Sequence, residues 1–457
     1  YQEELRRANA LDFDDLLLES VRLLTHDDDV RAAANRRFTH LLIDEYQDTN
    51  RSQYELMRLL SATHQNVCAV GDEDQSIYGW RGADIRNILD FERDYPGARV
   101  IRLEQNYRST KYILEAASAL VSNNKERKGK WLWTEHKGGD LIGLAETADG
   151  EQEALFIAGT IQRTLDDDPE TRVAVLYRTN AQSRQIEEAL RRHSIAYHVV
   201  SGFSFYQRAE IRDALAYLKV LISPEDSVSL RRIINTPARG IGKTTVEQIG
   251  EYAAAHRLGM WTAIGKMLEA RVFPARAQAA LEAFQRLIQE LRDLAADRPL
   301  NQILEAVLDR TGFRRMFENE DGAESQSRLE NLNELLNAAA EAAERGEGIA
   351  DFLDHAALAS DADQVDQQAR VSLLTLHNAK GLEFPVVFLA GMEEGLCPHS
   401  RSAESGAIVR GLYESGEFAR AGLGGFFMHV RYGSRLVWMW AASGFVWFLL
   451  LFIAFCD

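Results

Sequence analysis

The sequence predicts an α/β protein with parallel sheet, interrupted by a long helical insertion. Three observations carry that expectation. Short apolar runs recur, each ended by a polar cluster, and helical patterns separate them. From about residue 206 to 368 the strand signals vanish. The runs are Leu41-Leu42-Ile43 before Asp44, Val67 to Val70 before Gly71, and Val100-Ile101 with Leu103 before Asn106. Val173 to Leu176, Val371 to Leu376 and Val386 to Ala390 follow. In such sheets the ligand-handling residues sit at the carboxyl ends of strands, where these polar clusters fall. Near the start, Asp12 precedes Phe13, Leu16, Leu17, Val21 and Leu24, a helical stripe behind a capping carboxylate. Within the insertion, the Ala/Leu/Glu/Arg stretches 276–296 and 328–345 read as helices.

Composition bounds the function. A chain of 457 residues is expected to form roughly two to four domains. Apolar residues make up 46% and charged residues 26%, the balance of a soluble globular protein. The net charge of −17 argues against whole-surface attraction to nucleic acid, yet leaves room for a local basic groove. Cys68, Cys397 and Cys456 lie far apart, without metal-ligand spacing or a disulfide framework, which fits a reducing, cytoplasmic setting. Tyr1 in place of Met suggests that the sequence begins inside a longer protein.

The strongest local signal is Leu41-Leu42-Ile43-Asp44-Glu45-Tyr46-Gln47-Asp48. An apolar strand delivers two adjacent carboxylates to its exposed end. In nucleotide hydrolysis the first can hold Mg²⁺ and the second can orient and deprotonate the attacking water. A bare Asp-Glu pair is more often a solvated acidic turn, so the companions decide. Gly71-Asp72-Glu73-Asp74-Gln75-Ser76-Ile77-Tyr78-Gly79-Trp80-Arg81 follows the next strand. Asn106-Tyr107-Arg108-Ser109 follows the one after, and His377-Asn378-Ala379-Lys380-Gly381-Leu382-Glu383-Phe384 ends the late one.

Together these resemble motifs II, III, IV and V of superfamily 1 DNA helicases of the UvrD/PcrA/Rep family. Val175-Leu176-Tyr177-Arg178-Thr179 and the stretch Gly202 to Ile211 add support, and the resemblance covers roughly residues 1 to 403. It implies two RecA-like parallel-sheet lobes, the first truncated, with a large α-helical insertion in the second. The bounds expected are 1–104 for the first lobe, 105–205 and 369–403 for the second, 206–368 for the insertion and 404–457 for an anomalous tail. It also implies ATP and Mg²⁺ as cofactors. Asp44 is then the magnesium carboxylate, Glu45 the general base and Gln75 the γ-phosphate sensor. Tyr107 stacks on adenine, and Arg108 is an arginine finger, its planar guanidinium matched to charge developing on phosphate. Lys380, Gly381 and Glu383 are nucleotide contacts. Tyr78, Trp80 and Arg81 face DNA, where an aromatic beside a guanidinium can stack a base and hold a phosphate. Arg178, Asn180 and His377 join them as weaker candidates for the strand channel. The implied activity is ATP-dependent 3′-to-5′ DNA unwinding or translocation in repair or replication. The implied partners are single-stranded DNA, single-strand/duplex junctions and DNA-repair proteins.

The sequence departs from that family in two places. The phosphate-binding loop is not found in residues 1–457. Gly240-Ile241-Gly242-Lys243-Thr244-Thr245 mimics it, but Pro237 stands where the first glycine belongs and no buried strand precedes it. In the family this stretch resembles a helix-hairpin-helix that touches duplex backbone. After Ser402 the expected second catalytic arginine motif gives way to Gly-, Phe- and Trp-rich text. Leu436 to Phe455 carries no charge and is long enough to cross a bilayer as an anchor. An abrupt break inside a motor domain points to out-of-frame translation or a sequencing error instead, and a membrane is not the expected partner. The expectation is a helicase fragment inactive alone, with a non-catalytic DNA- or partner-binding remnant as the alternative. A helicase-nuclease subunit would need a carboxylate-rich nuclease domain, which is not visible in the sequence.

Overall fold

The computed structural model describes residues 2–7, 9–124, 127–136, 138–200, 202–320, 322–362, 369–393, 396–397 and 435–441. Its strands are β1 (Leu41–Ile43), β2 (Val67–Ala69), β3 (Gly143–Thr147), β4 (Val173–Tyr177), β5 (Tyr197–Val199), β6 (Val371–Thr375), β7 (Val386–Leu389) and β8 (Arg435–Ala441). Helices dominate the rest, so the chain is α/β, as the sequence predicts. It divides into two compact units. One holds Tyr1–Ala148, Arg172–Arg178 and Leu376–Asp457, the other Asp149–Thr171 and Thr179–Thr375.

In the first unit β1 and β2 pair in parallel, Leu41 against Val67 and Ile43 against Ala69. The period of two sends Leu41, Ile43, Val67 and Ala69 against a small core of Tyr46, Tyr54, Met57 and Tyr95. Leu42 points the other way and is 83% exposed, and Cys68 is exposed beside it. The ladder runs on past the strand ends. The Val70 amide donates to the Ile43 carbonyl (2.8 Å), and the Tyr46 amide donates to the Val70 carbonyl (3.0 Å). The two polar turns that follow are thereby held side by side.

Farther along the same unit β7 lies parallel to β4 and antiparallel to β8, which pairs antiparallel with β3. All five residues of β4 are buried, the mark of a strand covered on both faces. The helix Phe13–His26 opens with the expected Asp12 cap, completed by Asp15 into a reciprocal capping box. Its stripe is less buried than its periodicity suggests: Leu24 is buried, whereas Phe13 and Leu16 are exposed.

One strand expectation fails. Val100, Ile101 and Leu103 form no strand and stand exposed. Gln105 makes only an isolated bridge, to Trp133, and a strand without a neighbour along its length has no ladder to stabilise it. The short β3 and β5 carry no strong apolar run and escape the sequence pattern.

The second unit pairs β5 with β6 in parallel and is otherwise helical. The helices expected at 276–296 and 328–345 are found at Ala275–Ala295 and Ala323–Glu344. Their apolar faces meet in one core that includes Phe284, Ile288, Leu291, Leu332 and Leu335. Gly242 caps the helix Lys243–His256, and no strand leads into it, in keeping with rejection of that stretch as a phosphate loop.

Most of the anomalous tail, 404–434 and 442–457, lies outside the described residues, and so does most of the apolar run 436–455. Residues 435–441 of it are β8. Among the described residues no helix is long and apolar enough to cross a membrane.

Candidate functional site

Two turns and one late loop converge in the first unit. Behind β1, Glu45 adopts a left-handed backbone (φ 50°), sparsely populated for a residue with a side chain and often kept where function requires it. Its amide donates to Asp44 Oδ1 at 2.9 Å. Asp44 and Glu45 are both exposed, whereas Tyr46 and Gln47 are buried under them. A carboxylate pair is thus presented to solvent on a packed base.

Behind β2, Asp72 caps the short turn Glu73–Gln75. Gln75 is buried, and its Nε2 donates to Asp72 Oδ2 at 2.7 Å. Lys130 is ion-paired with Asp72, and Arg127 pairs with Asp74 at 2.7 Å. Burial pushes the Asp74 carboxyl above its ordinary range, reinforced by Asp72 and opposed by Arg127. A basic segment, 127–130, therefore closes on the acidic turn.

The third component is the loop after β6, His377 to Glu383, where Gly381 takes φ +82°. Its Lys380 is nearly buried, with a side chain 7% exposed. The ammonium pairs with Asp48, lies 3.3 Å from Glu45 Oε2 and donates to the Gln75 carbonyl at 3.1 Å. It also sits 5.4 Å above the Tyr78 ring. Burial raises the Asp48 carboxyl above the usual range, and the Lys380 ammonium pulls it back down. At the end of the same loop, Glu383 Oε2 accepts from Arg108 Nε at 2.6 Å. Arg108 is set by Asn106, whose Oδ1 accepts from the Arg108 and Ser109 amides.

An aromatic cluster adjoins this loop. Tyr78, Trp80 and His377 have ring centroids 6.1–6.4 Å apart. The Arg81 guanidinium lies 4.5 Å from the Trp80 ring and 5.2 Å from the Tyr78 ring. Arg178 contacts His377 Nδ1 at 3.2 Å, and the Tyr78 hydroxyl donates to the His377 carbonyl at 3.4 Å. Trp80 keeps 52% of its surface exposed, enough to receive a flat partner.

The structure accordingly brings Asp44, Glu45, Gln75, Lys380, Gly381, Glu383 and Arg108 onto connected turns, with Tyr78, Trp80, Arg81, Arg178 and His377 alongside. Tyr107 exposes its ring, and its hydroxyl donates to Gln105. Asn180 opens a short turn in the other unit. Sequence reasoning gave no role to Gln47, Asp48, Asp72, Arg127 or Lys130, although the first three stand inside its motif strings. Only the adjacency of Gln47 and Asp48 to the carboxylate pair hinted at two of them. Among the described residues no three His, Cys, Asp or Glu side chains cluster as metal ligands. One exposed carboxylate suits Mg²⁺, which commonly takes one or two carboxylates and fills its octahedron with phosphate oxygens and water.

Comparison with known proteins identifies the family. Residues 1–96 match the family model of the UvrD/REP helicase N-terminal domain, and residues 101–414 match that of the UvrD-like helicase C-terminal domain. The chain is 45% identical over 418 residues to the ATP-dependent DNA helicase PcrA of Bacillus subtilis, covering 88% of this chain and 56% of that protein. It is 43% identical over 410 residues to the PcrA of Staphylococcus aureus, covering 89% of this chain and 56% of that protein. The chain thus spans about half the length of the curated relatives it matches. With both family models aligned end to end across motifs whose side chains meet on one set of turns, the chain belongs to the UvrD-like helicase family.

Proposed function

We propose that this chain carries most of the motor of an ATP-dependent 3′-to-5′ DNA helicase or translocase acting on single-stranded DNA in repair or replication. One observation carries the reading. The Lys380 ammonium, paired with Asp48, lies 3.3 Å from Oε2 of Glu45, the carboxylate proposed as general base, and 5.4 Å from the Tyr78 ring of the aromatic cluster proposed for DNA.

In this reading the lobes are RecA-like, residues 1–104 forming the first and 105–205 with 369–403 the second, with 206–368 as the insertion. Asp44 would hold Mg²⁺, which supplies charge neutralisation on the phosphates when bound. Glu45 takes the proton of the attacking water, and Gln75 senses the γ-phosphate. Arg108 exchanges Glu383 for the phosphoryl group as negative charge develops there, a planar donor replacing one anion with another. Tyr107 offers its exposed face to adenine, and Lys380, Gly381 and Glu383 line the nucleotide. Trp80, Tyr78 and Arg81 stack and hold the strand, with Arg178, Asn180 and His377 along its path. The setting is the cytoplasm, and the partners are single-stranded DNA, its junctions with duplex and DNA-repair proteins.

The test is Glu45→Gln in a protein carrying these residues at the length of its relatives. DNA-stimulated ATP turnover is lost while single-stranded DNA binding persists, and turnover retained in the variant removes Glu45 as the base. The 457-residue chain, in which no phosphate loop is found, favours a second reading for itself, a DNA- or partner-binding remnant. It is expected to hydrolyse ATP negligibly, and robust DNA-stimulated phosphate release from the purified chain would overturn that.

A further inference from the structure

Beneath the carboxylate pair lies a side chain with no role in the scheme above. Gln47 is fully buried, at 0% exposure, and both ends of its amide are engaged. Its Oε1 accepts from the Asp72 main-chain amide at 3.0 Å, and its Nε2 donates to Glu45 Oε2 at 2.6 Å. We propose that Gln47 is a positioning residue that aims Glu45, with the Asp72 N–H dictating which way its amide faces. The inference rests on the reading of Glu45 as general base.

The argument is one of donors and acceptors. A main-chain N–H can only donate, so the amide end facing Asp72 must be the oxygen. The nitrogen is then left facing the carboxylate. A flipped amide would set donor against donor at the buried Asp72 N–H, which has no water to turn to, and acceptor against anion at Glu45.

Gly71 makes the approach possible. A Cβ there would lie 2.6 Å from Gln47 Oε1 and 3.2 Å from the Tyr46 amide nitrogen, so any side chain would push the amide off its acceptor position. The Gln47 donor and the Lys380 ammonium both fall on Oε2 of Glu45, which leaves Oε1 for the attacking water of the proposed step. Asp72 anchors a second glutamine by a different group: its carboxylate accepts from Gln75 while pairing with Lys130. One residue thereby fixes the amide that holds the base, through its main chain, and the amide proposed as sensor, through its side chain.

The experiment reads the amide itself in the 457-residue chain, with selective ¹⁵N-glutamine labelling. The Gln47 side-chain resonances are identified by their loss in Gln47→Leu, or in Gln47→Met should that variant not fold. In the native chain they exchange slowly with solvent. Glu45→Ala shifts them and speeds exchange of the proton facing position 45 by roughly tenfold, the scale of one lost hydrogen bond. Resonances unmoved by Glu45→Ala overturn the proposal. A second arm follows the Asp72 main-chain amide. Gln47→Glu keeps its acceptor and its protection, whereas the apolar variant loses both, and equal exchange in the two overturns the proposal as well. These readouts do not depend on hydrolysis. An absent amide signature beside a turnover-dead Glu45→Gln discards the positioning and keeps the base; the converse keeps the contact and discards the base.

Discussion

Removing the Lys380 charge while keeping its length, by Lys380→Met, is the sharpest perturbation of the site. The ammonium is 7% exposed and the Asp48 side chain 15%, so the pair sits largely out of water. Asp48 Oδ1 is already buried without a hydrogen-bond partner. Losing Lys380 removes the charge that compensates this carboxylate and leaves it the Ile77 main-chain amide. Breaking a buried pair from one side costs about 3–5 kcal/mol, and we expect the lower end because Asp48 keeps some access to solvent. The sign with pH is fixed by the raised Asp48 carboxyl, whose cause is burial. A carboxyl with a folded-state pKa above its unfolded value favours the fold at low pH, and that contribution is lost as pH rises through the folded value. Without Lys380 the folded value rises further, so the defect is expected to be small in mild acid and larger at pH 8. Urea unfolding of Lys380→Met, Asp48→Asn and the double variant at two pH values gives the coupling energy, with tryptophan fluorescence and circular dichroism compared because a chain this long need not unfold in one step. The double variant should recover much of the loss. A Lys380→Met penalty below about 1 kcal/mol, the scale of a surface pair, would refute the reasoning.

Trp80→Ala should weaken single-stranded DNA binding by about 1–3 kcal/mol, the worth of one stacked base, in fluorescence anisotropy; unchanged affinity takes Trp80 off the strand path. Arg184 is 1% exposed and pairs with Glu188, Glu334 and Glu341, so Arg184→Met should cost about 3–5 kcal/mol and lower the melting temperature, and an unchanged melt would show the triad to be idle. Gly71→Ala places a Cβ against Gln47 and the Tyr46 main chain and should destabilise by about 1–3 kcal/mol in urea unfolding, an outcome contradicted by a midpoint equal to the native one.

Much of the fold was legible because apolar runs that end in polar clusters have one good explanation. β1, β2, β4, β6 and β7 all lie where such runs stand. Val100 to Leu103 has the same texture and fails, since a run of apolar side chains does not encode whether a neighbour exists to complete the ladder. β3 was invisible for the opposite reason: Gly143–Thr147 is partly polar, and its pairing with β8 is a long-range event. The carboxylate pair, the aromatic cluster and Arg108 could be found as motifs because each is a compact string. The contacts between strings could not. Nothing local links Lys380 to Asp48, 332 positions earlier, or Arg108 to Glu383, 275 positions later. For the same reason the pairing of Asp72 with Lys130, 58 positions apart in the sequence, has no local signal.

The charge balance bears on how such a chain would hold a polyanion. With a net charge of −17, bulk attraction is unavailable and only local cations can meet phosphates. Near the aromatic cluster these are Arg81 and Arg178, while Lys380 is spent on Asp48 and Glu45. Two phosphate contacts would release few counterions, giving a logarithmic salt slope of roughly −1.4 at about −0.7 per phosphate on single strands. Under the proposed function, affinity in this region would then come chiefly from stacking on Trp80 and Tyr78, which every base supports and salt barely weakens. That division suits a protein that moves along its substrate. Stacking contacts are interchangeable from one base to the next, whereas a deep electrostatic grip would have to be broken at every step. Placing Lys380 under Tyr78 adds a consequence: any event that draws the ammonium toward Glu45 or releases it also changes the field beneath a base-stacking ring. Under the proposed roles, hydrolysis and grip would therefore influence one another through a single side chain, without a long path of intermediates.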